Sequence, residues 1–292
     1  MNQTFRFLPF LVKLYHDLEF VLYKMDIIFV FLKNKCRIIY VEKRIFIKMK
    51  DHDLPMVITE SESDSSSLCI LMLHGFMAFK EGDGYLFSKF AQKFEENGIS
   101  SARIDFCSMG ENRFSRENYG LKVMLEEVKE AFRYLKEECG FSHIGLLGHS
   151  LGGRIAVYSS DLPVSCLITI NGALQDGKDL SDLLVPEMKD GYCLIRPSDG
   201  RVELLFERFK KELVEIQKEV ILNYEGPILV CIGKDDPTID PAISYRFSLE
   251  NKTDRFEIEG ANHTLNAKTG DYAKVYECID YVMKWIKEKG LL

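Results

Sequence analysis

Ser150 is the residue from which chemistry can first be argued. It stands in Gly148-His149-Ser150-Leu151-Gly152, between the apolar run Ile144-Gly145-Leu146-Leu147 and the helix-compatible stretch Ile155-Ala156-Val157-Tyr158. G-x-S-x-G between a strand and a helix sets a serine at the apex of a sharp turn. Such a serine has a strained backbone, and its neighbours two before and two after come too close to each other to carry large side chains. The helix that follows aims free N–H groups and the positive end of its dipole at the site, where an oxyanion would be stabilised. The pentapeptide alone is equally compatible with a chance match or a glycine-rich nucleotide turn. A dinucleotide turn, however, requires G-x-G-x-x-G with an acidic residue roughly 20 residues on, and that glycine spacing is missing.

A serine hydroxyl is a poor nucleophile near neutral pH. It needs a base, and the base needs an acid to orient it. In open α/β sheets such groups lie just past the carboxyl ends of strands. Two stretches qualify. Ile228–Ile232 is followed by Gly233-Lys234-Asp235-Asp236-Pro237, and Arg255–Ile258 by Glu259-Gly260-Ala261-Asn262-His263-Thr264. His263 is the candidate base. Asp236, Asp235 and, more remotely, Asp240 are the candidate acids.

The elements that must position these residues follow from periodicity. Arg44–Lys50 and Met56–Thr59, split by Asp51-His52-Asp53-Leu54-Pro55, predict an antiparallel edge hairpin. Leu68-Cys69-Ile70-Leu71-Met72-Leu73 is a continuous apolar run, the pattern of a strand buried on both faces. Leu86, Phe87, Phe90, Ala91 and Phe94 recur at helical spacing and stop at Asn97-Gly98. A strand at Ser101–Phe106, a helix from Leu121 to Leu135, and a strand at Cys166–Ile170 continue the alternation. Residues 172–224 interrupt it, with Val202–Asn223 reading as one charged amphipathic helix. After them come a strand at 228–232, a helix near Ala242–Glu250, the strand at 255–258, and a closing helix around Tyr272–Ile286. Strands alternating with helices imply an α/β fold, a mostly parallel central sheet with helices on both faces.

Composition sets the outer bounds. With 46% hydrophobic and 28% charged residues, 292 residues can bury one large core plus an inserted subdomain. The net charge of −7 gives no nucleic-acid footprint. Residues 1–50 carry ten Lys/Arg against four Asp/Glu, which sets them apart from the acidic remainder. In residues 1–39 the longest apolar run is Ile27–Leu32, far short of the roughly 20 residues of a membrane span. Their basic, aromatic character fits weak association with a membrane surface through an amphipathic helix. A packed accessory helix, or translation starting downstream of Met1, fits as well. The eight cysteines are scattered, mostly in apolar runs, without C-x-x-C. That suits free thiols in a reducing, cytoplasmic compartment. Cys139, His143 and His149 lack a further pair to complete a metal site.

Five motifs together carry a family resemblance. They are His74-Gly75-Phe76; Arg103-Ile104-Asp105-Phe106 with Gly110-Glu111; Gly148-His149-Ser150-Leu151-Gly152-Gly153; Gly233-Lys234-Asp235-Asp236-Pro237; and Glu259-Gly260-Ala261-Asn262-His263. From about Arg44 onward the chain resembles the α/β-hydrolase superfamily. It is most similar to the serine aminopeptidase-like (S33-type) and cinnamoyl/feruloyl esterase-like hydrolases. The chain order Ser, Asp, His is the one that family uses.

The resemblance implies an α/β-hydrolase core at 40–171 and 225–292, with a small cap inserted at 172–224 and an N-terminal extension at 1–39. It implies Ser150 as nucleophile, His263 as general base and then acid, and Asp236 as the orienting acid, three residues past the strand-ending glycine. The oxyanion donors would be the backbone N–H groups of Phe76 and Leu151. The reaction implied is hydrolysis of a small-molecule carboxylic ester, with peptide, lipid and thioester substrates as alternatives and a silent binding protein as the non-enzyme rival. No metal or organic cofactor is implied, and oligomeric state is not legible. Cys107–Asn112 departs from the Arg-Gly-His-Gly-Glu-Ser-like run of many relatives, so the role of that loop is not carried over.

Overall fold

The computed structural model of the chain describes residues 18–22, 28–32, 42–61, 68–197, 199–216 and 224–292. Its centre is an eight-stranded sheet. In chain order the strands are β3 (Glu42–Lys48), β4 (Asp53–Thr59), β5 (Leu68–Leu73), β6 (Ser100–Ile104), β7 (His143–His149), β8 (Cys166–Ile170), β11 (Ile228–Gly233) and β12 (Asp254–Ile258). Across the sheet the order is β12-β11-β8-β7-β5-β6-β4-β3. β3 and β4 pair antiparallel as the expected hairpin, and β4 pairs antiparallel with β6. The remaining neighbours are parallel.

The two faces of the sheet explain the unbroken apolar run of β5. Successive side chains point to opposite faces. Leu68, Ile70 and Met72 join one core with helices α1 (Leu86–Glu96) and α7 (Ala273–Glu288). Cys69, Leu71 and Leu73 join the other, with α2 (Leu121–Glu137) and α3 (Leu151–Tyr158). All six β5 residues are buried, so neither face can be polar. On α1 the predicted stripe Leu86, Phe87, Phe90, Ala91, Phe94 is the buried set. Each of its large side chains contributes roughly 2–3 kcal/mol by leaving water.

Register matters most for the site. Leu73 sits opposite Gly148, His149 opposite Ile170, Cys231 opposite Ile170 and Gly233 opposite Ile258. The carboxyl ends of β5, β7, β8, β11 and β12 therefore finish level, and the segments that follow them emerge along one rim.

Between β8 and β11 the chain leaves the sheet. It forms α4 (Gly177–Leu184), a separate antiparallel pair of β9 (Tyr192–Ile195) and β10 (Glu203–Phe206), and α5 (Glu207–Glu215). The single helix expected over Val202–Asn223 is corrected here: residues 203–206 are a strand, and the helix begins only at Glu207. Leu205 is buried opposite Cys193, while Leu204 and Leu194, on the other face of the pair, stay exposed. Pairing with β9 rewards this alternation, which a helix would scatter around its circumference. Residues 217–223 lie outside the described residues. One more helix, α6 (Pro241–Glu250), follows β11.

The helical readings of residues 1–39 also need correction. Leu18–Leu22 (β1) and Ile28–Leu32 (β2) pair antiparallel, with Leu18 opposite Leu32 and Leu22 opposite Ile28. The rest of that stretch lies outside the described residues. Among the described residues no helix is long and apolar enough to cross a membrane.

Candidate active site

Ser150 follows β7 directly and caps α3 with φ 56° and ψ −121°, a backbone region that non-glycine residues rarely occupy. Its neighbours hold it there. Its N–H donates to the Ile170 carbonyl (3.0 Å), and its own carbonyl accepts from Gly153 (3.0 Å) and Ala173 (2.9 Å). The two flanking glycines are required, for reasons that differ in part from the expectation. A Cβ on Gly148 would lie 2.1 Å from the Gly152 carbonyl oxygen, but one on Gly152 would lie 1.9 Å from that of Leu73. Gly152 is thus demanded by the end of β5 as well as by the turn.

His263 lies on the loop after β12. Its Nδ1 is 2.7 Å from Asp236 Oδ2. The other oxygen of Asp236 accepts from the backbone N–H groups of Thr238 (2.8 Å) and Ile239 (3.0 Å). A carboxylate oxygen accepts. Nδ1 therefore carries the proton and donates it, and Nε2 keeps its lone pair. Among the three sequence candidates, Asp236 is the carboxylate that meets His263. Asp235 is exposed, its backbone N–H on the Ala261 carbonyl. Asp240 instead caps α6, accepting from Ala242 at 2.9 Å.

The imidazole is braced through its backbone. The His263 carbonyl accepts from His149 Nε2 (2.7 Å) and from Asn171 Nδ2 (2.9 Å). Asn171 Oδ1 in turn accepts from Gly233 N–H (2.6 Å), so one amide side chain ties the end of β11 to the histidine loop. Burial, with His263 as a second cause, pushes His149 down from the ordinary 6.5 to about 4. It stands there as a neutral donor. The loop's own turn is closed by Asn262 Oδ1, which accepts from Thr264 (3.0 Å) and Asn266 (2.8 Å).

Phe76 lies in the turn after β5. Two other amides of that turn are already committed, Met77 N–H to the Tyr119 hydroxyl (3.0 Å) and Ala78 N–H to the Gly75 carbonyl (3.2 Å). Leu151 opens α3 at its N-terminus. The Phe76 ring packs against Tyr119 and against Phe209 of α5. His74 shapes the turn: its Nε2 accepts from Phe106 N–H (3.0 Å) and its Nδ1 donates to the Gly75 carbonyl (2.8 Å). Burial holds its pKa below the ordinary value, consistent with this neutral state.

Ser150, His263 and Phe76 line one cavity of about 570 Å³, within the range of small-molecule sites. Leu183, Leu194 and Arg196, from the stretch between β8 and β11, form part of its wall. Among the described residues no group of three or more His, Cys, Asp or Glu could hold a metal ion.

The departing loop Cys107–Asn112 is folded around two buried carboxylates. Asp105 accepts from Lys80 N–H (2.8 Å), Lys80 Nζ (2.7 Å) and Glu111 N–H (2.9 Å). Glu127 of α2 accepts from Cys107 N–H (2.9 Å) and Asn112 Nδ2 (2.8 Å), and meets His52 Nε2 at 2.9 Å. Arg103 pairs with Glu42 of β3.

Sequence reasoning missed Asn171, Tyr119 and Arg154. Arg154 is buried beneath the serine turn, where it donates to the Ala173 carbonyl (2.8 Å), the Tyr158 hydroxyl (2.6 Å) and the Gln175 carbonyl. It thereby fixes the chain leaving β8. Only Asn171 had a legible signal, its place directly after a strand of the alternating pattern.

Residues 69–194 match the family model described as alpha/beta hydrolase fold. No curated protein sequence matches the chain. Among solved structures it is similar to ferulic-acid-bound Est1E from Butyrivibrio proteoclasticus (TM-score 0.73, 18% identity, covering 84% of this chain and 98% of that one). It is also similar to the esterase domain of a Rhodothermus marinus protein (TM-score 0.66, 17% identity, 85% and 98%). An α/β serine hydrolase without a lid from Xanthomonas campestris is more distant (TM-score 0.59, 14% identity, 85% and 94%). The strand order, the level strand ends, the family match and these likenesses agree: the chain has the α/β-hydrolase fold.

Proposed function

We propose that the chain is a serine hydrolase that cleaves a carboxylic ester through a covalent acyl-enzyme. One observation carries the reading: a serine held in a strained strand-to-helix turn shares a cavity with a histidine whose Nδ1 is bound to a buried carboxylate. In this mechanism Ser150 Oγ attacks the ester carbonyl carbon while His263 Nε2 takes the hydroxyl proton. The Phe76 and Leu151 N–H groups receive the negative charge that develops on the carbonyl oxygen. The tetrahedral intermediate collapses, the C–O bond to the alcohol breaks, and His263 returns the proton to the departing oxygen. A water, deprotonated by His263, then attacks the acyl carbon; the bond from that carbon to Ser150 Oγ breaks as His263 returns the proton to Oγ, releasing the acid. Asp236 stays ionised, holding the imidazole in the productive tautomer and stabilising the imidazolium.

Residues 172–224 act as the cap that selects the acyl or alcohol group. The apolar side chains Leu183 and Leu194 on the cavity wall suit an ester with an apolar body. The likeness to ferulic-acid-bound Est1E supports the same class. Aminopeptidase chemistry is disfavoured by the cap carboxylates. An aminopeptidase needs one of them for the substrate ammonium. Glu203 is held by Arg116 and Arg201, Glu207 by Lys211, and Glu212 by Arg208 and Lys122 N–H.

Fluorophosphonate labelling of the wild type and of Ser150→Ala, with p-nitrophenyl butyrate turnover read in parallel, tests the reading. The expected result is one adduct per chain on Ser150, absent in the variant, with turnover lower by on the order of 10⁵–10⁶. No adduct and equal background turnover in both proteins would remove the hydrolase reading and favour a hydrolase-fold binding protein.

A further inference from the structure

We propose that Arg201, a cap residue, is a positioning residue for the oxyanion turn, so that cap docking and oxyanion geometry form one unit. The inference rests on the hydrolase reading. Met77, next to the proposed oxyanion donor Phe76, has φ 54°, in the left-handed region. A methionine stays there only when its surroundings over-determine it. Both of its peptide groups are gripped. The N–H on the Phe76 side goes to the Tyr119 hydroxyl, and the carbonyl on the Ala78 side accepts from Arg201 Nη2.

The rest of Arg201 is equally committed. Its Nη1 donates to Glu203 Oε1 (3.0 Å), its Nε to Asp199 Oδ2 (2.6 Å), and its guanidinium lies 4.4 Å over the Phe79 ring. Phe79 belongs to the same turn as Met77. Glu203 extends the grip, because its second oxygen binds Arg116 Nη2, and Arg116 Nη1 sits 3.4 Å from Met77 Sδ. Arg201 and Glu203 come from the connection into β10 and from β10 itself, whereas Met77, Phe79, Tyr119 and Arg116 come from the core. The cap therefore reaches the turn directly through a carbonyl and a ring, and through Arg116 a sulfur. A planar guanidinium can make this several-pronged contact and an ammonium cannot. Losing it frees the Met77–Ala78 peptide and leaves the left-handed Met77 held on one side only, so the neighbouring Phe76 N–H can turn from its direction. The expected cost falls on the transition state, where that N–H is used.

The test uses the full chain and the variants Arg201→Met and Arg201→Lys. Arg201→Met keeps an apolar stem on Phe79 and removes every donor. With p-nitrophenyl butyrate its kcat should fall about tenfold while KM changes less than about threefold. Inhibition by an aryl trifluoromethyl ketone, whose adduct oxygen takes the oxyanion position, should weaken by the same factor as kcat/KM. Arg201→Lys, retaining a single donor nitrogen, should recover part of both. Amide exchange at Met77 should speed up about tenfold in Arg201→Met, with the thermal midpoint near the wild-type value. An active wild type with unchanged kcat in Arg201→Met, or a loss confined to KM with ketone affinity intact, would overturn the inference and leave the hydrolase reading standing. A wild type inert to both fluorophosphonate and ester would overturn the hydrolase reading, and the catalytic role of Arg201 with it.

Discussion

His263 and His52 each meet a buried carboxylate, Asp236 at 2.7 Å and Glu127 at 2.9 Å. In both pairs the carboxylate is also held by backbone N–H groups, two on Asp236 and one on Glu127. The pairs differ in what surrounds the ring. His263 lines the same cavity as Ser150, the arrangement that the proposed mechanism uses. His52 stacks on Phe114 with centroids 4.2 Å apart and has Asp51, Asp53 and Arg113 about it instead. Burial pushes the Glu127 carboxyl up, and the bonds from His52, Cys107 and Asn112 pull it back. That pair fastens the β3–β4 turn and the 107–112 loop to α2. On the proposed reading, the same histidine–carboxylate pairing serves catalysis in one place and the fold in the other, according to what lies around the ring.

The sharpest way to break this comparison is to delete each imidazole in turn. His263→Ala should lower p-nitrophenyl butyrate turnover by on the order of 10⁵–10⁶ with little change in unfolding midpoint. His52→Ala should do the reverse. It should keep turnover within about threefold but lose about 3 kcal/mol of stability, because Glu127 is left buried without its partner. Urea unfolding beside steady-state assays separates the two. Equal losses of turnover in both variants would make the two pairs one functional unit.

Asp236→Asn sharpens the comparison from the carboxylate side. The amide can donate to Nδ1 and favour the wrong tautomer, so kcat should fall by on the order of 10⁴ with the fold intact. A drop of less than tenfold would move the orienting role elsewhere.

The smallest effect concerns His149, which braces His263 from below. Its folded-state pKa, about 4, lies below the ordinary 6.5. Between those values the unfolded chain takes up a proton that the native chain refuses. The stability linked to this group is therefore fully present above 6.5 and is lost as pH falls toward 4, by on the order of 3 kcal/mol. In His149→Gln, denaturant midpoints measured at pH 7 and pH 4.5 should show a shallower acid loss than in the wild type. Identical slopes would place the acid sensitivity in other groups.

Much of this was legible because it is local or periodic. The two-faced burial of β5, the stripe of α1 and the β3–β4 hairpin follow from side-chain spacing alone. The rim residues Ser150, Asp236 and His263 could be located because each comes within five residues of the end of a recognisable strand. The stretch between β8 and β11 was much less legible. Leu204 and Leu205 are as compatible with a helix as with a strand until Tyr192–Ile195 is there to pair with them. The β1–β2 pairing was hidden for the same reason, since strands are decided by their partners.

From the sequence alone, the strand-turn-serine-turn-helix order, the Ser–Asp–His succession and the strand ends at which each residue sits were determined, because they depend on residue type and short spacing. Only the tertiary structure decided why Gly152 cannot be replaced, that Asp236, already implied by the resemblance, reaches His263, and that Asn171, Tyr119, Arg154 and Arg201 hold the site. The bonds from those four to Ala173, Met77 and Gly233 span 19 to 124 residues along the chain. Bonds over such separations leave no periodic trace, and they exist only once packing has brought the strand ends level.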